Sequence, residues 1–206
     1  MGKIKFLIAK ALKKILNPPA LRNCKADKTS KVLSKSELTG VKVGRYSYIG
    51  NQCFMVNTDV GAFCSIADRC VVGGATHPIE RVSTSPVFHT GNNVLQKNFA
   101  TFEAIKTPRT VIEHDVWMGM GVFVKAGVTI HTGSVVGMGS VVTHDIPPYE
   151  IWAGNPAKKI RDRFDDEIKQ ELLNSKWWEW NEDKLKNESK LFDNTSKFCE
   201  TYRKGN

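Results

Sequence analysis

The chain has 206 residues, 41% of them hydrophobic, with 30 lysines and arginines against 21 acids and a formal net charge of +9. That length holds one sizeable core plus an appendage, and no run approaches the roughly 18–20 apolar residues of a membrane span. Five cysteines, an odd number without a CxxC pair, argue against a disulfide scaffold or a zinc site and for a reducing compartment.

Much of the positive excess sits at the start. Residues 1–35 carry Lys3, Lys5, Lys10, Lys13, Lys14, Arg22, Lys25, Lys28, Lys31 and Lys35 against one acid, Asp27. Clustered in this way, the charge implies an anionic partner for that segment. No helix-turn-helix, finger or aromatic RNA platform accompanies it, so nucleic acid is not an expected partner. Ile4 to Leu16 reads as a short helix, with Ile4, Leu7, Ile8, Ala11, Leu12 and Ile15 along one side and Lys3, Lys10, Lys13 and Lys14 on others. Asn17-Pro18-Pro19 stops it. The stretch lacks the uninterrupted apolar core and cleavage site of a signal peptide, which predicts a cytoplasmic protein. Two readings of the helix stay open: a cap on the core or on a neighbouring subunit, or peripheral contact of residues 1–20 with the anionic inner face of a membrane. Residues 20–38 look like a polar connector, which makes 1–38 one segment.

Residues 39–152 carry the most restrictive pattern. Ile112, Met118, Val124, Ile130, Val136 and Val142 recur every six residues. Small or β-branched residues follow at +4: Val116, Val122, Val128, Ser134 and Ser140. Neither a helix nor a simple strand has this period, whereas hexapeptide repeats wind as a parallel β-helix. Earlier hexads begin at Val43, Ile49, Val60, Ile66 and Val72, with Ser47, Cys53, Cys64 and Cys70 at +4. Cysteine there is a small core filler. The step from Ile49 to Val60 is one short of two hexads, so an irregularity is expected near Asn57-Thr58-Asp59. From about 74 to 109 the hexads vanish and prolines and aromatics appear; a long excursion inside a compact domain is often functional. Residues 153–206 return to helical signals. Asp165 is placed to cap a helix through Leu173, Trp177, Trp178 and Trp180 follow, and a loose tail ends the chain. This region is expected to cover the open end of the solenoid.

Several segments resemble one family. They are Val43-Gly-Arg-Tyr-Ser-Tyr-Ile-Gly50, Gly61-Ala-Phe-Cys-Ser-Ile-Ala67, Gly73-Gly-Ala-Thr-His-Pro78 and Ile112-Glu-His-Asp-Val-Trp-Met-Gly119. Val141 to Tyr149, Ala153-Gly-Asn-Pro-Ala-Lys-Lys-Ile160 and Lys176-Trp-Trp-Glu-Trp180 complete the set. Over roughly residues 40–185 the chain resembles the hexapeptide-repeat acetyltransferases, in the branch of xenobiotic and polysaccharide O-acetyltransferases. The resemblance implies a left-handed parallel β-helix, a homotrimer with active sites between subunits, and acetyl-CoA as donor. A left hand departs from the usual crossover rule and does not follow from spacing.

The implied chemistry is attack of an alcohol on a thioester, directly and without a covalent enzyme intermediate. It needs a general base, for which histidine suits. His77, where the solenoid opens into the loop, matches the family's catalytic position. The resemblance also points to Trp117, Gly119, Gly137 and Gly139 along the donor groove, although those glycines equally fit corner geometry. Lys158 and Lys159, with Asn155 and Pro156 and ahead of Arg161 and Arg163, offer cations for the donor's phosphates. Tyr46, Tyr48, Asn57, Asp59, Phe88, His89, Phe102 and Glu103 are candidates to surround the acceptor, and Asp59 and Glu103 are also candidates to orient His77, which the sequence does not decide between. His114, His131 and His144 read as solvated surface, and no metal is expected. The loop His77-Pro-Ile-Glu-Arg-Val-Ser-Thr-Ser-Pro86 looks more like polysaccharide-modifying members, which favours a sugar hydroxyl as acceptor. The alternatives are a chloramphenicol- or streptogramin-type drug, nucleotide-sugar N-acetylation, and a non-catalytic scaffold.

Overall fold

The structure, a computed structural model, describes residues 3–203. The expected placement of the Lys3, Ile4, Lys10, Lys13 and Lys14 side chains, and the last three residues of the expected tail, lie outside the described residues. The core is a parallel β-helix of six coils, seen as the six strands of its first face: Ala20–Arg22, Glu37–Thr39, Phe54–Val56, Val71–Val72, Phe123–Val124 and Val141–Val142. The second face stacks Lys25–Ala26, Lys42–Val43, Thr58–Val60, Thr110–Ile112 and Thr129–Ile130. The third stacks Lys31–Val32, Tyr48–Ile49, Ser65–Ile66, Trp117–Met118, Val135–Val136 and Glu150–Gly154.

The hexads wind as their spacing predicts. On the first face Leu38, Met55, Val72, Val124 and Val142 point inward; Val43, Val60, Ile112 and Ile130 do so on the second, and Ile49, Ile66, Met118 and Val136 on the third. All are buried, each worth about 1.5–3 kcal/mol relative to exposure. The +4 residues form columns just before each strand. Ser36 Oγ donates to Gly50 O at 2.7 Å and accepts from Cys53 N–H at 3.1 Å; Ser47 repeats the motif at the corner before the third face, with Gly61 O and Cys64 N–H. Such a hydroxyl satisfies two backbone groups of the neighbouring coil at once. Cys53, Cys64 and Cys70 are buried in these columns, and burial pushes the Cys64 thiol up to about 12, which leaves it unreactive.

The missing residue in the period is a built-in corner. Ala20 pairs with Glu37, Glu37 with Phe54 and Phe54 with Val71, so the early coils repeat every 17 residues. The shortened step falls between the first and second faces, at Asn23, Gly40 and Asn57, all with positive φ (54°, 66° and 50°). Asn and Gly tolerate that left-handed region best.

This winding corrects the expected connector over 20–38. That stretch is the first coil and the start of the second, down to Glu37–Thr39, so the solenoid starts at Ala20 rather than Thr39. Charged outward residues, and the small Ala26 at one inward position, mask the repeat. Before it, α1 (Lys3–Leu16) forms over the expected span. Leu7, Ile8, Leu12, Ile15 and Leu16 are each at least half exposed, so α1 does not cap its own solenoid. No helix among the described residues is long and apolar enough to cross a membrane.

The C-terminal region also differs from expectation. It opens with a strand, Ala157–Asp162, antiparallel to Glu150–Gly154 and covering the edge of the third face. Helix α2 (Asp166–Ser175) follows, capped by Asp165, whose Oδ1 accepts from Ile168 N–H at 2.8 Å. Helices α3 (Glu182–Asn187) and α4 (Thr195–Arg203) complete a cluster around Trp177, Trp178, Trp180, Phe192, Phe198 and Tyr202. This cluster packs along the corner between the second and third faces, not across the open end. Phe63 meets Trp177 at 4.9 Å between ring centroids, and His114 stacks on Trp178 at 5.2 Å. Arg45 donates to Trp178 O through Nε at 3.2 Å and Nη2 at 2.7 Å, and to Trp180 O.

Candidate active site

The excursion leaves the fourth coil after Val71–Val72 and returns at Thr110–Ile112, through the same corner that is one residue short in earlier coils. Gly73 starts it, with φ +77°; a Cβ there would lie 2.1 Å from Val56 O, so only glycine fits. Its neck is tied twice. Thr76 N–H donates to Thr107 Oγ1 at 3.3 Å. Arg109 forks onto both Asp59 oxygens at 2.6 Å, donates to Asn57 Oδ1 at 2.8 Å and reaches Gly40 O at 3.0 Å. This bidentate bond holds the Asp59 carboxyl below the usual carboxylate range.

Within the loop, His77 is exposed and its Nδ1 lies 2.8 Å from Thr84 O. A carbonyl only accepts, so Nδ1 carries the hydrogen, and in the neutral ring the lone pair belongs to Nε2. Ser83, next to Thr84, lines a cavity of about 590 Å³ with Glu80, Arg81, Val82, Phe88 and Phe102. Arg81 ties the loop's two halves, donating to Glu103 O at 3.1 Å and lying 5.6 Å from the centre of the Phe102 ring.

The sequence candidates therefore separate. Phe88 and Phe102 line this cavity, and His77 is linked to it through Thr84, the neighbour of Ser83. Asn57 and Asp59 belong to the neck: Asp59 is committed to Arg109, and the group that orients His77 is Thr84 O. Glu103 is exposed and meets the loop through its backbone carbonyl. His89 is buried in the loop's own core, with Nε2 unpaired, so it does not face an acceptor. Tyr48 points outward from the third face, two coils before Trp117. Tyr46 instead stacks on Phe63 and bonds Glu182 at the C-terminal cluster.

On the donor side, Trp117 is 55% exposed, outward as expected. It borders a cavity of about 350 Å³ with Asp115, Val135, Ile151, Arg161, Arg163 and Phe164. Coil stacking accounts for Gly119 and Gly137: a Cβ would meet Met138 N at 2.6 Å and Ala153 Cβ at 2.9 Å. Gly139 sits at a corner with φ +70° and open space beside it. Asn155 and Pro156 form the exposed turn between the last two strands. Lys158 and Lys159 part ways. Lys158 is exposed, and no ion pair involves it among the described residues. Lys159 pairs with Glu150 at 2.7 Å and Asp162 at 2.8 Å, which raises its pKa and makes it a structural cation.

Three features escaped the sequence reading. Thr84 acts through its backbone, which no side-chain pattern reveals. Arg109 is one arginine beyond Pro108, with no motif of its own. His114 is not solvated: its Nδ1 accepts from Ala62 N–H at 3.0 Å, and burial lowers its pKa, so it is part of the corner packing.

Comparison with known proteins agrees with this architecture. No family model matches the chain. It is 38% identical over 170 residues to a chloramphenicol acetyltransferase of Klebsiella aerogenes, covering 71% of this chain and 79% of that one. It is 34% identical over 145 residues to a probable macrolide acetyltransferase of Lysinibacillus sphaericus, covering 68% and 76%. Among solved structures, the N-acyltransferase AntD of Bacillus cereus, in complex with dTDP-4-amino-4,6-dideoxyglucose and coenzyme A, matches in fold with a TM-score of 0.52 at 23% identity, over 81% of this chain and 96% of that one. A six-residue period wound into a parallel β-helix, a looped histidine at its open corner and relatives of this identity and coverage place the chain in the hexapeptide-repeat acetyltransferase family.

Proposed function

We propose that the protein is a xenobiotic O-acetyltransferase that moves acetyl from acetyl-CoA to a hydroxyl of an apolar, antibiotic-like acceptor, with His77 as general base. The bond between His77 Nδ1 and Thr84 O carries this reading. With Nδ1 held as the donor, the neutral ring leaves Nε2 as its basic nitrogen, and Thr84 is the chain neighbour of Ser83 in the cavity wall. The acceptor hydroxyl gives its proton to Nε2 as its oxygen bonds to the acetyl carbon. The carbon–sulfur bond breaks, and the proton passes from the imidazolium to the departing CoA sulfur. No covalent enzyme intermediate is needed, because the thioester is already activated.

A drug-type acceptor replaces the sugar favoured from the loop sequence. Val82, Phe88 and Phe102 give the cavity an apolar wall with polar groups only at Glu80, Arg81 and Ser83, which suits an aromatic or aliphatic ligand better than a ring of hydroxyls. The chloramphenicol and macrolide acetyltransferases among its relatives support the same choice. The donor would lie along the face of Trp117, with Lys158 and Arg161 as the exposed cations for its phosphates. The loop leaves Ile79, Val82, Val94 and Phe99 largely exposed. A cyclic homotrimer would cover this surface and set the loop of one subunit against the Trp117 face of the next.

Release of CoA thiol, followed with chloramphenicol, a macrolide and free or polymeric sugars as acceptors, tests the reading. Turnover with a drug and not with sugars supports it; turnover with sugars alone sinks it. Light scattering in solution checks the trimer, and a monomer at micromolar concentration would remove the shared site.

A further inference from the structure

Helix α1 presents a surface that the fold leaves uncovered. Leu7, Ile8, Leu12 and Ile15 are 50–73% exposed, although they lie along one apolar side of a regular helix, and Leu16 at its end is 72% exposed. The same 14 residues include Lys3, Lys5, Lys10, Lys13 and Lys14 and no acid. The adjoining first coil adds Arg22, Lys25, Lys28, Lys31 and Lys35, all exposed, against Asp27. An apolar stripe within a one-signed charge field is the pattern of a helix that lies in a lipid interface. At about 1.5 Å per residue it is about 21 Å long, too short for the roughly 30 Å hydrocarbon core, so it would lie flat. A second copy of α1 is a poor occupant, because it would bring five more positive charges to the same surface without a single acid.

We propose that α1 is a peripheral anchor that docks the protein on bilayers containing anionic lipid, with its apolar side among the acyl chains and the first-coil lysines over the headgroups. Charge complementarity selects the surface, and the apolar stripe supplies the insertion. The anchor precedes the first coil, whereas the His77 loop leaves the fourth.

The test is co-sedimentation of the full chain with vesicles of phosphatidylcholine alone and of phosphatidylcholine mixed equally with phosphatidylglycerol. The protein should pellet with the mixed vesicles only, and high salt should release most of it. The double substitution Ile8→Glu, Ile15→Glu should weaken binding at least about tenfold while its melting midpoint and elution volume stay those of the parent. Equal behaviour on both vesicle types, no pelleting at all, or unchanged binding of the double variant would overturn the proposal. A changed elution volume without vesicle binding would assign α1 to contact between copies instead.

Discussion

His77 is oriented by the backbone carbonyl of Thr84, seven residues further along the same loop, rather than by a carboxylate. A carboxylate partner would raise the imidazole's proton affinity and stabilise the imidazolium. A neutral carbonyl fixes the tautomer with little added charge. That suits a base that must take a proton and then pass it to a thiolate. Removing the ring with His77→Ala should lower kcat by about 10²–10⁴-fold and leave KM for acetyl-CoA within a few-fold, measured by steady-state CoA release. Unchanged kcat would refute the role.

The neck bond between Asp59 and Arg109 should matter at a distance from the chemistry. Asp59→Asn removes the charge that the guanidinium grips with two bonds. Because the side chains are about one-third exposed, the loss of stability should be modest, about 1 kcal/mol. The effect on kcat/KM should be larger, since the loop that carries His77 loses its fixed base. The sign of the pH effect follows from the depressed Asp59 pKa. The stabilisation is present above the unfolded-state value near 3.8 and fades as pH falls through the lower folded-state value. Melting curves taken down to pH 3 should therefore show parent and variant converging at the acid end.

Gly73→Ala tests whether the loop's departure is as constrained as it looks. A Cβ 2.1 Å from Val56 O at φ +77° adds backbone repulsion to a left-handed conformation that costs about 1–2 kcal/mol for alanine. Activity should fall at least tenfold with the β-helix intact, since the fourth coil closes behind the loop. Circular dichroism and CoA release together check this.

Arg45 ties the C-terminal cluster to the solenoid by donating to Trp178 O and Trp180 O. Arg45→Ala leaves those carbonyls short of a donor and should cost about 1–3 kcal/mol. The tryptophan emission should shift to longer wavelength as the cluster loosens. A variant with the parent's emission and melting midpoint would show that aromatic packing alone suffices.

Of the fold, the hexads from Val43 to Val142 were legible because the inward residues recur every six positions on both sides of the excursion, with a single short step between Ile49 and Val60. The first coil was not legible. Ala20 to Thr39 keeps the winding with small or modest inward residues and charged outward ones, and it becomes visible only when its strands pair with Lys42–Val43, Tyr48–Ile49 and Phe54–Val56. His77 was singled out by its motif and its place at the break in the repeat. Its partner was not, because a backbone carbonyl leaves no mark in side-chain identity. Asp59 and Lys159 drew attention as free charges, yet each is neutralised by a residue distant in the chain or across a strand pair.

The six-residue period alone thus determined that this chain winds into a solenoid with one excursion, because burial of every sixth side chain is a local rule. Which charges stay available, what holds the imidazole and where the tryptophan cluster sits were decided only by the tertiary structure. Those outcomes depend on coils stacked about 4.8 Å apart, which bring together groups that the sequence keeps dozens of residues apart.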